Sequence, residues 1–241
     1  MIKYEMLLFD LDDTLVNNTE NARYAFKQML INVNKEYNDK EFQKWLNLDN
    51  QFWKDYANKK IIVPEQYQHP QELFIKYIRS LRYQMFFNYK IDVNKAFEIN
   101  EIFISSLNEI AVPIDGVYET LEYLHNKYKI VIATNGPTVA VDSKLSKIDC
   151  LKFINAVFSA DMAKDTVTKP NKLYFEELKK YLQYYDTNKM LIIGDSLRTE
   201  VQGGMNSGID SCWYNPYMKP VPNEYNPTME INNLRELIRK L

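Results

Sequence analysis

Residues 6–15 constrain the fold of this chain more than any other stretch. An apolar run at 6–9 is followed by three carboxylates within four positions, those of Asp10, Asp12 and Asp13. Short apolar runs are typical of parallel strands buried on both faces, and ligands bind beyond the carboxyl ends of such strands. Carboxylates this close repel one another unless a proton or a cation relieves the repulsion. The stretch therefore predicts a strand that ends at a cation site, with an acidic helix-capping turn as the alternative interpretation.

Strand-like and helical patterns alternate along the chain after residue 112. Apolar runs lie at 129–134, 156–158, 190–193 and 210–214, and helical periodicity at 119–127, 138–148, 171–184 and up to about 205. Repeated strand–helix units imply a parallel sheet with right-handed crossovers and helices on both faces. A proline-rich surface loop at 216–227 and a closing helix at 233–241 complete the pattern. We therefore predict an α/β fold with a three-layer core.

The segment 17–109 has a different character. It carries four apolar stripes at helical spacing, and the chain has no glycine before Gly116. These features predict a bundle of four or five helices. We expect two domains: 1–16 with 110–241 as the α/β core, and 17–109 as a helical domain inserted after the first strand.

Composition narrows the possible partners. Lys and Arg number 30 against 32 Asp and Glu, a balance that argues against binding a nucleic-acid polymer. The two cysteines, Cys150 and Cys212, are too few for a zinc site or a disulfide framework, and we expect both to be buried. The chain starts without a signal-peptide pattern, and no apolar run has membrane-spanning length. A cytoplasmic protein without membrane contact is expected.

Polar residues follow several predicted strands at the point where each strand ends. They are Asp10 and Asp12 after the first strand, Thr134, Asn135 and Gly136 after the second, and Asp195 with Glu200 after the fourth. Lys169 precedes the proline that begins another helix. Because the carboxyl ends of parallel strands share one edge of the sheet, these groups are expected to face one crevice.

The residue types at this crevice suit phosphate chemistry. A carboxylate beside a divalent cation can attack phosphorus and form an aspartyl phosphate, and a second carboxylate two positions on can transfer protons. Thr134, Asn135 and Gly136 offer donors for phosphoryl oxygens, and glycine allows close backbone approach. Lys169 supplies a positive charge, and Asp195 completes a magnesium site, since Mg²⁺ needs few protein ligands.

This order of residues resembles the haloacid dehalogenase-like phosphatase superfamily. Its DxDxT signature corresponds to residues 10–14, its strand-end Thr to Thr134, its lysine to Lys169, and its GDxxxxD/E signature to residues 194–200. The resemblance implies a Rossmannoid catalytic core, and the insert at 17–109 matches the helical cap of subfamily I.

The resemblance also implies roles for the acidic residues. Asp10 would be the nucleophile and Asp12 the general acid and base. Mg²⁺ would be held by the side chains of Asp10 and Asp195 and by the main-chain carbonyl of Asp12. Glu200 would orient water at the metal, although relatives often have Asp at this position.

A closer similarity concerns the branch that contains bacterial pyrimidine 5′-nucleotidases. It rests on the motifs at 52–56, 134–136, 169–172, 194–204 and 212–215. The similarity implies hydrolysis of nucleoside monophosphates such as UMP and dTMP. Phosphatases of sugar phosphates or other small phosphomonoesters are the alternative, and a phosphomutase would use the same residues with a bisphosphate activator.

Lys164 is a second candidate for the catalytic lysine, because the path from residue 159 to 168 is long and lacks glycine. We favour Lys169, since Pro170 fixes it at a helix start.

Two other functions use related constellations. A haloacid dehalogenase shares the fold but lacks an acid two residues after the nucleophile, so Asp12 argues against it. A receiver-type signalling domain also carries an acidic pair, a Thr or Ser and a Lys, but has no helical insert after its first strand.

Overall fold

The structure is a computed structural model that describes residues 3–241. The chain divides into two compact units, one extending to Thr19 and resuming at Ile110–Leu241, the other formed by Glu20–Glu109. Among the described residues, no helix combines the length and apolar character needed to cross a membrane.

The first unit contains a parallel sheet with the strand order β3-β2-β1-β4-β5-β6 in the described part of the chain. The strands are β1 (Met6–Phe9), β2 (Lys129–Thr134), β3 (Ala156–Ser159), β4 (Met190–Gly194), β5 (Asp210–Tyr214) and β6 (Met229–Ile231). All neighbouring strands pair in parallel. β6 lies between the expected proline-rich loop and the closing helix, and it was not predicted.

The α-helices are α1 (Asn18–Asn32), α2 (Asp39–Ala57), α3 (Gln71–Phe86), α4 (Val93–Glu109), α5 (Val117–Leu124), α6 (Thr138–Lys147), α7 (Lys172–Leu182), α8 (Gln202–Ser207) and α9 (Glu236–Lys240). Short 3₁₀ turns lie at Glu65–Tyr67, Leu151–Phe153, Ala160–Met162, Lys164–Thr166 and Thr187–Lys189, and a π-helical turn at Leu197–Val201. Asparagine caps begin two of the helices: Asn38 accepts from the N–H of Glu41 before α2, and Asn171 from that of Leu173 before α7.

The sheet has a hydrophobic layer on each face. On one face, Leu7 and Phe9 of β1 pack in a buried cluster with apolar residues of α5, α6 and α9. On the other, Met6 and Leu8 lie in a cluster with the aromatic and leucine side chains of α7. Because β1 is buried on both faces, its residues are apolar without alternation, as a parallel strand requires. This confirms the predicted α/β fold with a three-layer core.

The second unit is a helical bundle with an aromatic core. The Trp45 ring stacks on Tyr83 with centroids 4.9 Å apart and an interplanar angle of 11°. Phe26, Phe86 and Phe103 surround this pair, and all five side chains are buried. Such packed aromatic pairs add to the free energy gained from apolar burial.

Both cysteines, Cys150 and Cys212, are buried free thiols, as the sequence indicated.

Candidate active site

The ends of β1, β2 and β4 lie side by side at the carboxyl edge of the sheet. Phe9, the last residue of β1, is in register with Ile132 of β2 and Ile193 of β4. Asp10 follows directly, and its N–H donates to the carbonyl of Ile193 at 2.9 Å. The next acid, Asp195, follows β4 and is thus placed on the strand adjacent to Asp10.

One hydrogen bond joins the loops after β1 and β4, and a second joins the loop after β4 to β5. The N–H of Asp195 donates to Thr14 Oγ1 at 3.1 Å, and Trp213 Nε1 donates to the carbonyl of Asp195 at 2.8 Å. Because Thr14 is fully buried, this contact lies inside the protein. The two acidic loops therefore form one wall of the crevice.

Lys169 occupies the centre of the site. Its Nζ donates to Asp10 Oδ1 at 2.7 Å, to Glu200 Oε1 at 2.7 Å and to the carbonyl of Ala133 at 2.6 Å. An ammonium group has three donors, and all three are used here. With only 2% of its surface exposed, Lys169 is fixed in one position beside Asp10.

Asn135 binds the backbone of Lys169 through both ends of its side-chain amide. Its Oδ1 accepts from the N–H of Lys169 at 2.8 Å, and its Nδ2 donates to the Lys169 carbonyl at 3.1 Å. The N–H of Gly136 donates to Thr134 Oγ1 at 3.1 Å, which orders the loop after β2. Asn135 thus ties the loop after β2 to the backbone of Lys169, and its place in phosphate binding stays a prediction.

Lys164 lies apart from this arrangement. It is exposed on the 3₁₀ turn Lys164–Thr166, whereas Lys169 is buried beside Asp10. The structure thus brings Lys169, and not Lys164, to the first strand.

Glu200 is buried and makes contacts through both carboxylate oxygens. Besides the contact of Oε1 with Lys169, its Oε2 accepts from the N–H of Ser196 at 3.1 Å and from Thr199 Oγ1 at 2.8 Å. The π-helical turn at Leu197–Val201, a feature often found at functional sites, carries Glu200. Glu200 thus positions Lys169 directly, a contact that was not expected from the sequence.

A further basic residue, Lys144 of α6, was missed by the sequence analysis. Its Nζ forms an ion pair with Asp12 Oδ1 and donates to Asn18 Oδ1 at 3.3 Å. The sequence did offer one indication of its position. Lys144 lies next to Leu145 and three residues after Val141, and these two residues form the buried side of α6 that packs on the sheet. A lysine bordering that side is held near the sheet rather than in bulk solvent.

Burial governs the electrostatics of the site. Burial raises the pKa of Asp10 to about 7, with Lys169 acting to lower it and Glu200 to raise it. Burial likewise raises the pKa of Asp195 to about 7, assisted by the negative charges of Glu200 and Asp13. For Lys169, burial acts to lower the pKa, but the carboxylates of Asp10 and Glu200 outweigh it, so the pKa is raised. The ammonium of Lys169 does not fully compensate the surrounding acids.

This donor set fits a hard divalent cation. Buried carboxylate oxygens with excess negative charge are ligands that Mg²⁺ prefers. Within residues 3–241, no three His, Cys, Asp or Glu side chains form a metal cage by themselves. An ion bound by Asp10 and Asp195 would therefore also need main-chain, water or substrate oxygens, as magnesium sites generally do.

The structure is an α/β core with acidic residues at the carboxyl edge of a parallel sheet and a helical insert after the first strand. The chain belongs to the haloacid dehalogenase-like hydrolase family, whose family model matches residues 7–214. The resemblance drawn from the sequence motifs is thereby confirmed.

Curated relatives match almost the full chain. The pyrimidine 5′-nucleotidase YjjG of Escherichia coli is 26% identical over 98% of this chain and 97% of its own length. The pyrimidine 5′-nucleotidase PynA of Streptococcus pneumoniae is 28% identical over 98% of this chain and 94% of its own.

The fold is also found in a solved structure. The crystal structure of the HAD-hydrolase YfnB from Bacillus subtilis, bound to magnesium, superposes with a TM-score of 0.83 and 25% identity over 99% of both chains.

Proposed function

We propose that this protein is a magnesium-dependent phosphomonoesterase that works through an aspartyl phosphate on Asp10. One observation carries the proposal: the buried carboxylate of Asp10, at the end of β1, is hydrogen-bonded to Lys169 while Asp195 follows the neighbouring strand. Membership of the hydrolase family and the relatives' activity support it.

In this mechanism Lys169 orients the nucleophile. Its hydrogen bond to Oδ1 leaves Oδ2 of Asp10 to attack phosphorus, and the new Oδ2–P bond forms as the ester P–O bond breaks. Asp12 gives its proton to the leaving oxygen. It then accepts a proton from the water that attacks phosphorus, so the Asp10–phosphate bond breaks and inorganic phosphate is released.

The same acidic residues would hold Mg²⁺. The carboxylates of Asp10 and Asp195 and the main-chain carbonyl of Asp12 would be its ligands. When bound, the ion supplies positive charge that offsets the repulsion between Asp10 and a phosphate dianion. Lys169 contributes to the same balance from its fixed position, and Glu200 keeps Lys169 in place.

The two units receive separate roles in this proposal. The α/β unit is the catalytic core, because all the residues named above belong to it. The helical unit Glu20–Glu109, inserted between the first strand and the rest of the sheet, corresponds to the cap domain of subfamily I.

We propose nucleoside 5′-monophosphates as substrates, because two relatives that match nearly full length are pyrimidine 5′-nucleotidases. Comparing kcat/KM for UMP, dTMP, purine nucleotides and sugar phosphates tests this assignment. We expect the highest kcat/KM for pyrimidine nucleotides. A much higher kcat/KM for sugar phosphates would overturn the nucleotidase assignment but not the assignment as a phosphatase.

The mechanism itself is tested with Asp10→Asn. We expect this variant to lose phosphate release while keeping the thermal stability of a folded protein, since the amide is isosteric but cannot attack phosphorus. Asp142→Asn on the exposed face of α6 is the matched control and should retain wild-type turnover. Normal turnover by Asp10→Asn would refute the nucleophile. Stoichiometric phosphate retention without release would indicate a receiver-type switch instead.

A further inference from the structure

The ion pair between Lys144 and Asp12 joins residues 132 positions apart in the chain. It is partly buried, with 21% of the Lys144 side chain and 34% of the Asp12 side chain exposed. Exposed ion pairs contribute little to stability, about 0–1 kcal/mol, so folding alone is a weak reason for this contact. Its partner, Asp12, is instead the residue to which the proposed function gives the proton transfers.

The helix that carries Lys144 is anchored to the sheet. Buried Val141 and Leu145 pack in the cluster beneath the sheet, on either side of Lys144. At the start of α6, the N–H of Thr138 donates to Asp161 Oδ1 at 3.1 Å, and its Oγ1 bonds to Ser159 Oγ at 2.6 Å. The start of α6 is thus tied to the end of β3, and the buried side of α6 beside Lys144 is packed on the sheet.

The two carboxylate oxygens of Asp12 have different surroundings. Oδ1 accepts from Lys144, whereas Oδ2 faces the loop after β2. A methyl group at Gly136 would lie 3.9 Å from Asp12 Oδ2 and 3.5 Å from Thr134 Oγ1. Oδ2 therefore points toward the loop that we propose to bind the phosphoryl group.

We propose that Lys144 is a positioning residue that fixes the rotamer of Asp12 so that Oδ2 faces the loop after β2. This inference rests on the proposed function. An ammonium group can only donate, so Lys144 occupies Oδ1 as an acceptor. Oδ2 is then the oxygen of Asp12 that faces the loop after β2 and exchanges the proton with the leaving oxygen. During ester cleavage the Oδ2–H bond breaks, the proton passes to the leaving oxygen, and the ester P–O bond breaks as Asp10 bonds to phosphorus.

The contact of Lys144 with Asn18 adds a second restraint. The Oδ1 of Asn18 accepts from Nζ at 3.3 Å at the first residue of α1. The ammonium is thus held between Asp12 and α1. Without Lys144, Asp12 could adopt other rotamers in which Oδ2 is outside hydrogen-bond reach of the leaving oxygen.

The test uses two esters that differ in their need for a proton. The leaving group of UMP is the 5′-oxygen of uridine, a poor leaving group that needs the proton from the acid, whereas p-nitrophenyl phosphate releases p-nitrophenolate, which leaves readily without a proton. The ratio kcat/KM reports steps up to the first irreversible one, so dephosphorylation of Asp10 does not mask the difference. For Lys144→Met we expect kcat/KM to fall by about 10²-fold on UMP, within the range of general acid catalysis, and by less than about threefold on the aryl ester.

Three further variants test whether the loss of activity on UMP is due to the donor group of Lys144. Lys144→Arg should recover most of the UMP activity, because a guanidinium can also donate to Asp12 Oδ1. Lys144→Leu, which likewise has no donor, replaces the Met variant if that protein is unstable. Lys147→Met, an exposed lysine one turn further on α6, should be indistinguishable from wild type.

A double-mutant cycle identifies the residue through which Lys144 acts. In the Asp12→Asn background, Lys144→Met should change kcat/KM for UMP by less than about twofold, since coupled residues are not additive. Equal losses on both esters, or an undiminished loss in the Asp12→Asn background, would overturn the inference. If the wild type releases no phosphate from either ester, or Asp10→Asn stays active, the proposed function itself fails.

Discussion

Gly194→Ala perturbs the centre of the site from within a strand. Gly194 ends β4, and a methyl group there would lie 2.3 Å from Glu200 Cγ, 2.6 Å from Cδ and 2.7 Å from Oε2. Carbon atoms in contact normally keep about 3.5–4.0 Å between them. Glu200 has 1% of its surface exposed and is held by Lys169 and the loop at 196–199, so it cannot move aside without losing these partners.

The size of the effect follows from two costs. Overpacking a core position costs about 1–3 kcal/mol. Displacing Glu200 also weakens its hydrogen bond to the Lys169 ammonium, an interaction with a charged group worth about 1.5–3 kcal/mol. We therefore expect Gly194→Ala to lower the free energy of unfolding by about 3 kcal/mol or more. A shift of Lys169 by about 1 Å would reduce turnover by about 10²-fold.

Urea unfolding monitored by circular dichroism gives the stability change, and phosphate release gives kcat/KM. The control is Glu200→Ala, which removes the group that the methyl would strike. In that background, adding Gly194→Ala should cost less than about 1 kcal/mol, because the two positions are in contact and their effects are coupled. Wild-type stability for Gly194→Ala, or an equal cost in both backgrounds, would refute the reasoning.

Two further predictions concern charge at the site. Lys169→Met should abolish turnover and lower the free energy of unfolding in urea by about 3–5 kcal/mol, because the buried carboxylates lose the ammonium group that they share. Lys164→Met, at an exposed site, should stay within about 0.5 kcal/mol of wild type. Equal effects of the two substitutions would contradict the assignment of Lys169. The pKa values of Asp10 and Asp195 are raised from 3.8 to about 7 in the folded protein. Between pH 3.8 and about pH 7, the metal-free folded state therefore binds more protons than the unfolded state, so the free energy of unfolding should fall as the pH rises through this range. The rise in Tm on replacing a chelator with Mg²⁺ should therefore be larger at about pH 8 than at about pH 5 in thermal scans. An equal rise at both pH values would count against Asp10 and Asp195 as the metal ligands.

The core of the fold could be predicted from local pattern. The strands that end at Phe9, Thr134 and Gly194 are buried along nearly their whole length and are therefore mostly apolar. β6 escaped prediction because it has only three residues, Met229–Ile231, at the edge of the sheet. A strand this short carries too little pattern to be distinguished from loop.

The site was predictable to the level of residue types but not of contacts. The topology alone places Asp10 and Asp195 after neighbouring strands of the sheet. The contacts of Glu200 with Lys169 and of Asn135 with the Lys169 backbone depend on side-chain packing between distant segments. Lys144 was missed for the same reason, since its partner Asp12 lies on a different element.

Trapping the phosphorylated protein is the direct test of Asp10 as the nucleophile. Wild-type protein mixed with substrate and Mg²⁺ is quenched in acid, digested and analysed by mass spectrometry for a phosphoryl group. We expect an acid-stable, base-labile phosphoryl group on Asp10, absent when a chelator replaces Mg²⁺ and absent in Asp10→Asn. Turnover with no phosphorylated Asp10 at any quench time, or a phosphoryl group on another residue, would contradict the account.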